Sequence, residues 1–313
     1  MSRVFGPVPS RRLGFSLGVD LVPFKTCSLD CVYCQLGSAG KPVIRRGEYV
    51  PVGEVLEELE AKLKAGGRID WITLSGSGEP TLHSGIGRLI LRIKEITRIP
   101  VAVLTNGTLL GLPGVREELA AADLVVPSLD AGTEEVFARI NRPHRALSLE
   151  GLTSGIAALA SGFPGRVWLE VMLLSGLNDS EAELEAIAGR IRRIRPDRVQ
   201  LNTAVRPPAE SGVTALSPGE LERARHFLES RIDRVPVEIV AGFSGKRERA
   251  NDRDLPGEIA GYLERRPATA ADLSAVFGLD RREALRHLDQ LKETGTIRET
   301  LSGGEKFFTA APE

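Results

Sequence analysis

Cys27, Cys31 and Cys34 are the only cysteines in the 313-residue chain, and they lie within eight consecutive residues. Three thiols packed so closely are a poor framework for structural disulfides, so we interpret them as reduced thiolates that bind metal. Thiolates suit either an iron–sulfur cluster or zinc. A structural zinc site normally has four ligands, and none of the four histidines lies beside the cysteines. The set therefore favours a cluster with one iron left open to a ligand.

A second candidate segment, Ser75–Leu82, reads Ser-Gly-Ser-Gly-Glu-Pro-Thr-Leu. Gly78 has no side chain, so backbone carbonyls there can approach a ligand closely, and the Glu79 carboxylate can accept a hydrogen bond from an ammonium group. A Gly-Glu-Pro sequence alone is also typical of an ordinary turn between a strand and a helix. Its position after the cysteine loop favours a role in binding.

Polar residues also follow the next two β-rich runs. Asn106 follows one of them, and Ser128 and Asp130 follow the other. Such side chains can hydrogen-bond a ribose, a carboxylate or an adenine edge. Asn and Asp are equally common as caps of turns and helices, so both interpretations stay open here.

Three arginines are candidate anion contacts. Arg11 and Arg12 precede the cysteine loop and can hold a phosphate or carboxylate, although an ion-paired or solvated pair is the slightly favoured alternative. Arg206 follows a predicted strand, and most arginines at such positions simply lie at the surface.

The pattern that must position these residues alternates β-rich runs with amphipathic helical segments, which indicates βα repeats and a parallel sheet. Six repeats predict a partial (βα)6 barrel of the α/β class, with its chemistry at the carboxyl ends of the strands. A seventh strand is predicted at Val237–Val240. The six main strands are predicted at Leu17–Val22, Trp71–Ser75, Val101–Thr105, Leu124–Leu129, Val167–Leu174 and Arg198–Asn202.

Three parts are predicted along the chain: a barrel over residues 1–241, a charged linker over 242–254 and a small domain over 255–313. The last part reads as three helices and two strands joined at Ser302–Gly304, an order that resembles a winged helix-turn-helix. Such domains often place a helix in the DNA major groove. Here eight Lys and Arg stand against ten Asp and Glu over 255–313, so nucleic-acid binding is only weakly supported. Docking to the barrel, to a partner protein or to an RNA is, taken together, favoured over binding to a specific DNA operator.

The whole chain has a formal net charge of −1, with 42% hydrophobic and 27% charged residues. This balance is typical of a globular protein and gives no general attraction to nucleic acid or anionic membranes. No charge-free stretch reaches the roughly 20 residues needed to span a bilayer, and the first ten residues lack a signal-peptide core. We therefore expect a cytoplasmic protein without a membrane span.

The spacing C-x3-C-x2-C, with the aromatic Tyr33 before the last cysteine, resembles the signature of the radical S-adenosylmethionine superfamily. The resemblance implies that the cysteines hold three irons of a [4Fe-4S] cluster and that the fourth iron binds S-adenosylmethionine. One electron then cleaves the cofactor to methionine and a 5′-deoxyadenosyl radical, which abstracts hydrogen from a substrate. It also implies a ferredoxin- or flavodoxin-type reductant. Residues implied to contact the cofactor are Tyr33, Gly78, Glu79, Asn106, Ser128 and Asp130.

Three further stretches, Phe5–Gly14, Ser128–Asp130 with Arg139–Pro143, and Gln200–Pro208, resemble radical enzymes related to the wyosine-forming tRNA enzymes. Those enzymes carry additional cysteines for a second cluster, which this chain lacks. The substrate therefore stays open among an RNA base, a protein and a small molecule. An alternative of another class is a redox sensor that uses its cluster to control the C-terminal domain.

Overall fold

The computed structural model describes residues 2–38, 40–240 and 255–311. The predicted linker at 242–254 lies outside the described residues. An eight-stranded sheet dominates, and its strands are hydrogen-bonded in the same order as they occur along the chain. These strands are β1 (Val4–Ser10), β2 (Gly14–Val19), β3 (Trp71–Leu74), β4 (Val101–Thr105), β5 (Leu124–Pro127), β6 (Arg166–Leu173), β7 (Arg198–Thr203) and β8 (Val237–Ile239).

Strands β2 to β8 pair in parallel, and helices connect them. The predicted α/β fold with six βα units is therefore confirmed, and β8 is the predicted seventh strand. The connecting helices are α1 (Val52–Ala65), α2 (Ile86–Ile96), α3 (Pro113–Leu119), α4 (Glu134–Ile140), α5 (Leu149–Gly162), α6 (Glu181–Ile194) and α7 (Pro218–Glu229), with a short 3₁₀ helix at Pro80–Leu82.

The first strand was not predicted from the sequence. Strand β1 pairs antiparallel with β2, and the register shifts between Phe5 and Val8. Pro7 and Pro9 read as strand breakers, but a proline is tolerated on an edge strand because its missing N–H is not needed there. The hairpin also moves the start of β2 to Gly14, three residues before the predicted Leu17.

The helices cover the sheet with one apolar face each. Helix α2 shows this most plainly, because Ile86, Leu89, Ile90 and Ile93 are fully buried. Their spacing follows the 3.6-residue helical period, which places all four on the side that faces the sheet. Truncating one of them to Ala would cost about 2–5 kcal/mol of unfolding free energy.

The C-terminal part has the predicted order of three helices and two strands. They are α8 (Leu255–Arg265), α9 (Ala270–Phe277), α10 (Arg281–Glu293), β9 (Ile297–Ser302) and β10 (Glu305–Ala310), and the last two form an antiparallel hairpin. We call residues 255–311 the C-terminal module. Its hydrophobic core includes Phe5 and Val8 of β1, so the module packs against the barrel, one of the docking modes that we expected. Its likeness to a winged helix stays a prediction. Among the described residues, no helix has the length and apolar character needed to cross a membrane.

Candidate active site

The cysteine loop follows β2 and lies across the carboxyl ends of the neighbouring strands. The Glu79 backbone N–H donates to the Thr26 carbonyl at 2.9 Å, and the Val32 N–H donates to the Ile140 carbonyl at 2.9 Å. The loop is thereby fixed on one side by the turn after β3 and on the other by the end of α4. Its cysteines are half-buried and unbridged.

Two of the three cysteine sulfurs accept hydrogen bonds from asparagine amides. Asn106 Nδ2 lies 3.4 Å from Cys27 Sγ, and Asn141 Nδ2 lies 3.4 Å from Cys31 Sγ. Burial raises the pKa of the Cys27 thiol to about 11, with Glu79 adding to the effect. Burial and the neighbouring Cys27 also raise the pKa of the Cys31 thiol. In the absence of a cation these thiols stay protonated at neutral pH, so metal binding must displace their protons.

The Glu79 carboxylate is buried and accepts four hydrogen bonds. Oε1 accepts from the Thr81 N–H at 3.0 Å, from the Thr81 hydroxyl at 2.6 Å and from the Thr105 hydroxyl at 2.6 Å, and Oε2 accepts from the Asn106 N–H at 2.7 Å. Burial raises the pKa of Glu79, an effect that these hydrogen bonds oppose. The side chain therefore ties the turn after β3 to the end of β4. Its contact with an ammonium group stays a prediction.

The space beside the Gly78 Cα atom is filled by another part of the protein. A Cβ atom on Gly78 would lie 2.0 Å from the Thr26 carbonyl oxygen, which no side chain tolerates. Gly76 has a φ of 145°, and a Cβ there would lie 2.6 Å from Asp20 Cγ. Gly78 thus lets the cysteine loop approach the turn, and contact of the Gly78 backbone with a cofactor stays a prediction.

Asn106 joins the cysteine loop to the strand end. Its Nδ2 also donates to the Ser28 hydroxyl at 2.9 Å, and its Oδ1 accepts from the Thr108 N–H at 3.0 Å. Ser128 is half-buried and forms a parallel bridge with Glu170 of β6. For both residues, contact with a cofactor stays a prediction.

Asp130 and Tyr33 form a buried network with Asn141. The Tyr33 hydroxyl donates to Asp130 Oδ2, and Asn141 Nδ2 donates to the same oxygen at 2.8 Å. Asp130 Oδ1 accepts from the Met172 N–H at 2.9 Å. Burial raises the pKa of Asp130 to about 6, and burial raises the pKa of Tyr33 well above its usual range. Asp130 thus orients the groups around Cys31.

Sequence reasoning missed two contributors to this arrangement. Asn141 lies in the Arg139–Pro143 stretch, whose family resemblance was the only signal for it. Arg265 of the C-terminal module, nearly buried, lies 3.7 Å from the buried Asp20 carboxylate. Asp20 Oδ2 in turn accepts from the Ser77 N–H at 3.1 Å. The C-terminal module is therefore linked to the turn that carries Glu79, which no local sequence pattern could reveal.

A cavity of about 300 Å³ lies beside the cysteine loop, with Tyr33 and Cys34 in its wall. We call it the mouth cavity. The remaining wall comes from the ends of β6 and β7, from the β1–β2 turn and from Arg266 of the C-terminal module. Its volume is at the lower end of the range for small-molecule sites. The thiols and a ligand-sized space thus share one side of the sheet.

Comparison with known protein families settles the relationship of this chain. Residues 21–186 match the model of the Radical SAM superfamily, and this stretch includes the cysteine loop and strands β3 to β6. The chain belongs to the radical SAM superfamily. Members of this superfamily bind a [4Fe-4S] cluster and S-adenosylmethionine, so these are the cofactors that membership implies for the chain.

Two curated proteins extend the likeness over most of this radical SAM chain. It is 40% identical over 303 residues to a Brachyspira hyodysenteriae protein named GTPase Obg, covering 96% of this chain but 44% of that protein. It is 31% identical over 247 residues to the UPF0026 protein of Methanocaldococcus jannaschii, covering 78% of this chain and 77% of that one. The chain thus spans less than half of the first relative and most of the second.

The fold also resembles a solved structure, that of a radical SAM methyltransferase from Sphaerobacter thermophilus. The TM-score is 0.55 at 21% identity, and the match covers 72% of this chain and 65% of that one. A likeness at this identity supports the radical SAM fold and no particular reaction. The relation to the wyosine-forming subgroup stays a prediction.

Proposed function

We propose that this protein is a radical S-adenosylmethionine enzyme that holds one [4Fe-4S] cluster on Cys27, Cys31 and Cys34. The observation that carries the proposal is that the loop bearing these thiols is fixed beside a ligand-sized cavity, with Tyr33 and Cys34 in its wall. When bound, the cluster supplies the electron that cleaves S-adenosylmethionine to methionine and a 5′-deoxyadenosyl radical, which abstracts hydrogen from the substrate.

The donor set fits a cluster better than a single metal ion. Within residues 2–38, 40–240 and 255–311, no three His, Cys, Asp or Glu side chains converge as ligands of one ion. A cluster instead takes one thiolate for each iron, so its ligands lie farther apart than those of zinc. The amides of Asn106 and Asn141 donate toward two of the sulfurs, which stabilises the thiolate form.

The residues around the loop have positioning roles in this proposal. Glu79 fixes the turn that would receive the amino group of S-adenosylmethionine, while Asn106 and Asp130 hold the cysteine loop in place. Ser128 lies at the end of β5, beside β6, where a cofactor contact is expected. A ferredoxin- or flavodoxin-type reductant and a cytoplasmic location complete the proposal.

The alternative of a redox sensor gains no support. A sensor that acts through its C-terminal module needs a cluster and a movable contact. It does not need a cavity beside Cys34 that is lined by polar side chains from β6 and β7. We therefore propose an enzyme whose hydrogen donor binds in the mouth cavity.

The test is anaerobic reconstitution with iron and sulfide, followed by reduction with dithionite in the presence of S-adenosylmethionine. We expect 5′-deoxyadenosine to form and to be detected by chromatography. The triple variant with Ala at Cys27, Cys31 and Cys34 should form neither the cluster nor 5′-deoxyadenosine. His144→Ala is the matched control, because His144 packs against the loop through its backbone and is not a proposed ligand.

A cluster that forms and is reduced, yet neither binds nor cleaves S-adenosylmethionine, would contradict the enzyme proposal. Formation of the cluster in the triple variant would contradict the ligand assignment. Loss of the cluster in His144→Ala would show that the histidine completes a four-ligand site.

A further inference from the structure

The wall of the mouth cavity is rich in arginine. Arg11 and Arg12 come from the β1–β2 turn, Arg206 from the segment after β7, and Arg266 from the end of α8. Glu170 is the one carboxylate in the part of the cavity wall that the structure describes. Arg12 forms an ion pair with it, as the ion-paired alternative for Arg12 predicted. The other three arginines form no ion pair with a carboxylate in the described ranges, although Glu170 partly offsets the charge of Arg11 and Asp272 that of Arg206.

None of these three guanidinium groups has a carboxylate within 4.0 Å in the described ranges 2–38, 40–240 and 255–311. Arg11 donates from Nη1 to the neutral side-chain amide oxygen of Asn202 at 3.0 Å. Arg206 Nε is buried and has no hydrogen-bond partner among the described atoms. A buried N–H donor without an acceptor destabilises the folded protein, so an acceptor that enters the cavity would remove that penalty.

The three charges also repel one another. The pKa of Arg11 is lowered to about 10, mainly by burial. The positive charges of Arg206 and Arg12 contribute to this shift. Burial lowers the pKa of Arg206 as well, and Arg266 contributes to the effect. Arg11 stays protonated at neutral pH, because a pKa of about 10 lies far above 7. A bound anion would relieve this repulsion.

We propose that the mouth cavity binds the phosphoryl group of a small phosphorylated substrate through Arg11, Arg206 and Arg266. That the bound molecule is a substrate rests on the proposed function, whereas the anion site rests on the cavity alone. A phosphoryl dianion matches the surplus of positive charge better than a carboxylate, which carries one charge. Guanidinium groups also bind phosphate oxygens in a bidentate manner.

The source of the phosphoryl group is a small molecule rather than a polynucleotide backbone. The cavity of about 300 Å³ suits one compact ligand, and the unpartnered Arg206 Nε lies beneath the surface. A polynucleotide needs an extended basic surface, and the net charge of this chain is −1. The site also includes Arg266, so it is complete only when the C-terminal module is docked on the barrel.

The experiment is equilibrium dialysis of radiolabelled inorganic phosphate against the cluster-loaded protein, with and without saturating S-adenosylmethionine. We expect one saturable site that persists when the cofactor is bound. Arg206→Gln, Arg11→Gln and Arg266→Gln should each weaken phosphate binding about tenfold or more, as expected for a charge-assisted hydrogen bond. Arg206→Lys should lose less affinity for phosphate than Arg206→Gln, because lysine keeps the charge but not the forked geometry.

Arg166→Gln is the matched control, because it removes the same charge from an exposed position at the start of β6. It should leave phosphate binding unchanged within about twofold. The iron content and the thermal midpoint of each variant show whether the protein is folded. If Arg206→Gln does not fold, the Arg206→Lys and Arg11→Gln results decide.

Three outcomes would overturn the inference. Absence of saturable phosphate binding removes the site, as does phosphate binding that the arginine variants leave unchanged. Full competition by S-adenosylmethionine would assign the arginines to the cofactor carboxylate. Competition by a single-stranded RNA oligomer stronger than that by phosphate would assign them to a nucleic acid. The dialysis can also be run on protein without the cluster, which tests the anion site separately from the radical chemistry. Arginine-dependent phosphate binding, combined with a reconstituted protein that forms no 5′-deoxyadenosine, would support the anion site and contradict the proposed function.

Discussion

The two halves of the barrel mouth use their polar side chains in opposite ways. At the ends of β3 to β5, the side chains of Glu79, Asn106 and Asp130 form hydrogen bonds with other parts of the protein. At the ends of β6 and β7 and the nearby turn, Arg11 and Arg206 line the mouth cavity and form no ion pair with another described residue. The first half therefore supports the cysteine loop, whereas the second half has donors that can still bind a ligand.

The two halves of the mouth serve two different needs. A cluster-binding loop must be held rigidly, so the polar groups beneath it are satisfied within the protein before any ligand arrives. A ligand site needs donors that are oriented but not yet satisfied.

Single replacements of the thiols should give the largest change. Each of Cys27→Ala, Cys31→Ala and Cys34→Ala should lower the bound iron at least about tenfold and abolish 5′-deoxyadenosine, because each removes one thiolate ligand. Iron analysis and the visible absorption of reconstituted protein provide the measurement. Ser38→Ala, on the same loop, is the control and should retain the cluster. A cysteine variant with wild-type iron would exclude that residue as a ligand.

Two neighbouring arginines should separate structural support from ligand binding. Arg265→Ala leaves the buried Asp20 without its cation and should lower the unfolding free energy by about 3 kcal/mol, measured with urea. Arg266→Ala should change stability little, within about 0.5 kcal/mol, because Arg266 has no ion pair in the described part of the chain. Equal stability losses in both variants would break the distinction between the two uses.

Asp130 should make the stability of the metal-free protein depend on pH. Its pKa is raised from 3.8 to about 6 by burial, so its protonated form is favoured in the folded state. The resulting stabilisation is fully present below pH 3.8 and is lost as the pH rises through about 6. The shift corresponds to about 3 kcal/mol.

The measurement compares the wild type with Asp130→Asn in urea unfolding at pH 4 and pH 7.5. The wild type should lose about 2.5 kcal/mol relative to the variant between these conditions, because asparagine does not titrate. A constant difference across the range would show that Asp130 has an ordinary pKa. That result would weaken the conclusion that Asp130 is shielded from water and hydrogen-bonded within the protein.

Tyr33→Phe should give the smallest effect on the supporting half. It removes the hydroxyl that donates to Asp130 and should cost about 1–1.5 kcal/mol of unfolding free energy. Tyr49→Phe is a matched control, because its hydroxyl donates to the Arg45 carbonyl at an exposed position. The control should change stability by less than about 0.5 kcal/mol. Equal costs would contradict a buried role for the Tyr33 hydroxyl.

The sequence was most informative where the chemistry is local. The cysteine spacing and the βα alternation follow from neighbouring residues, and the predicted strand at Val101–Thr105 agrees with β4 in its bounds. Local patterns also marked Glu79 and Asp130 as important without revealing their partners. Those partners, such as Met172 for Asp130, come from distant strands. Only the packed sheet determines such contacts.

The mouth cavity was beyond prediction for the same reason. Its arginines at positions 11, 206 and 266 lie in three separate parts of the sequence, and the last belongs to a module for which docking to the barrel was only one of several expected modes. Strand β1 was missed because its prolines are breakers in most strands. Their use on an edge strand depends on which neighbour is absent, and a single sequence does not show that.

The docking of the C-terminal module on β1 has a consequence for aggregation. An edge strand exposes unpaired N–H and C=O groups that can template pairing with another chain. Here Pro7 and Pro9 interrupt the row of donors on β1, while helices α8 and α9 pack against the strand and bury Phe5 and Val8. Removing residues 255–313 would uncover both the strand and its apolar side chains. The module therefore protects the barrel from edge-to-edge association as well as closing one wall of its cavity.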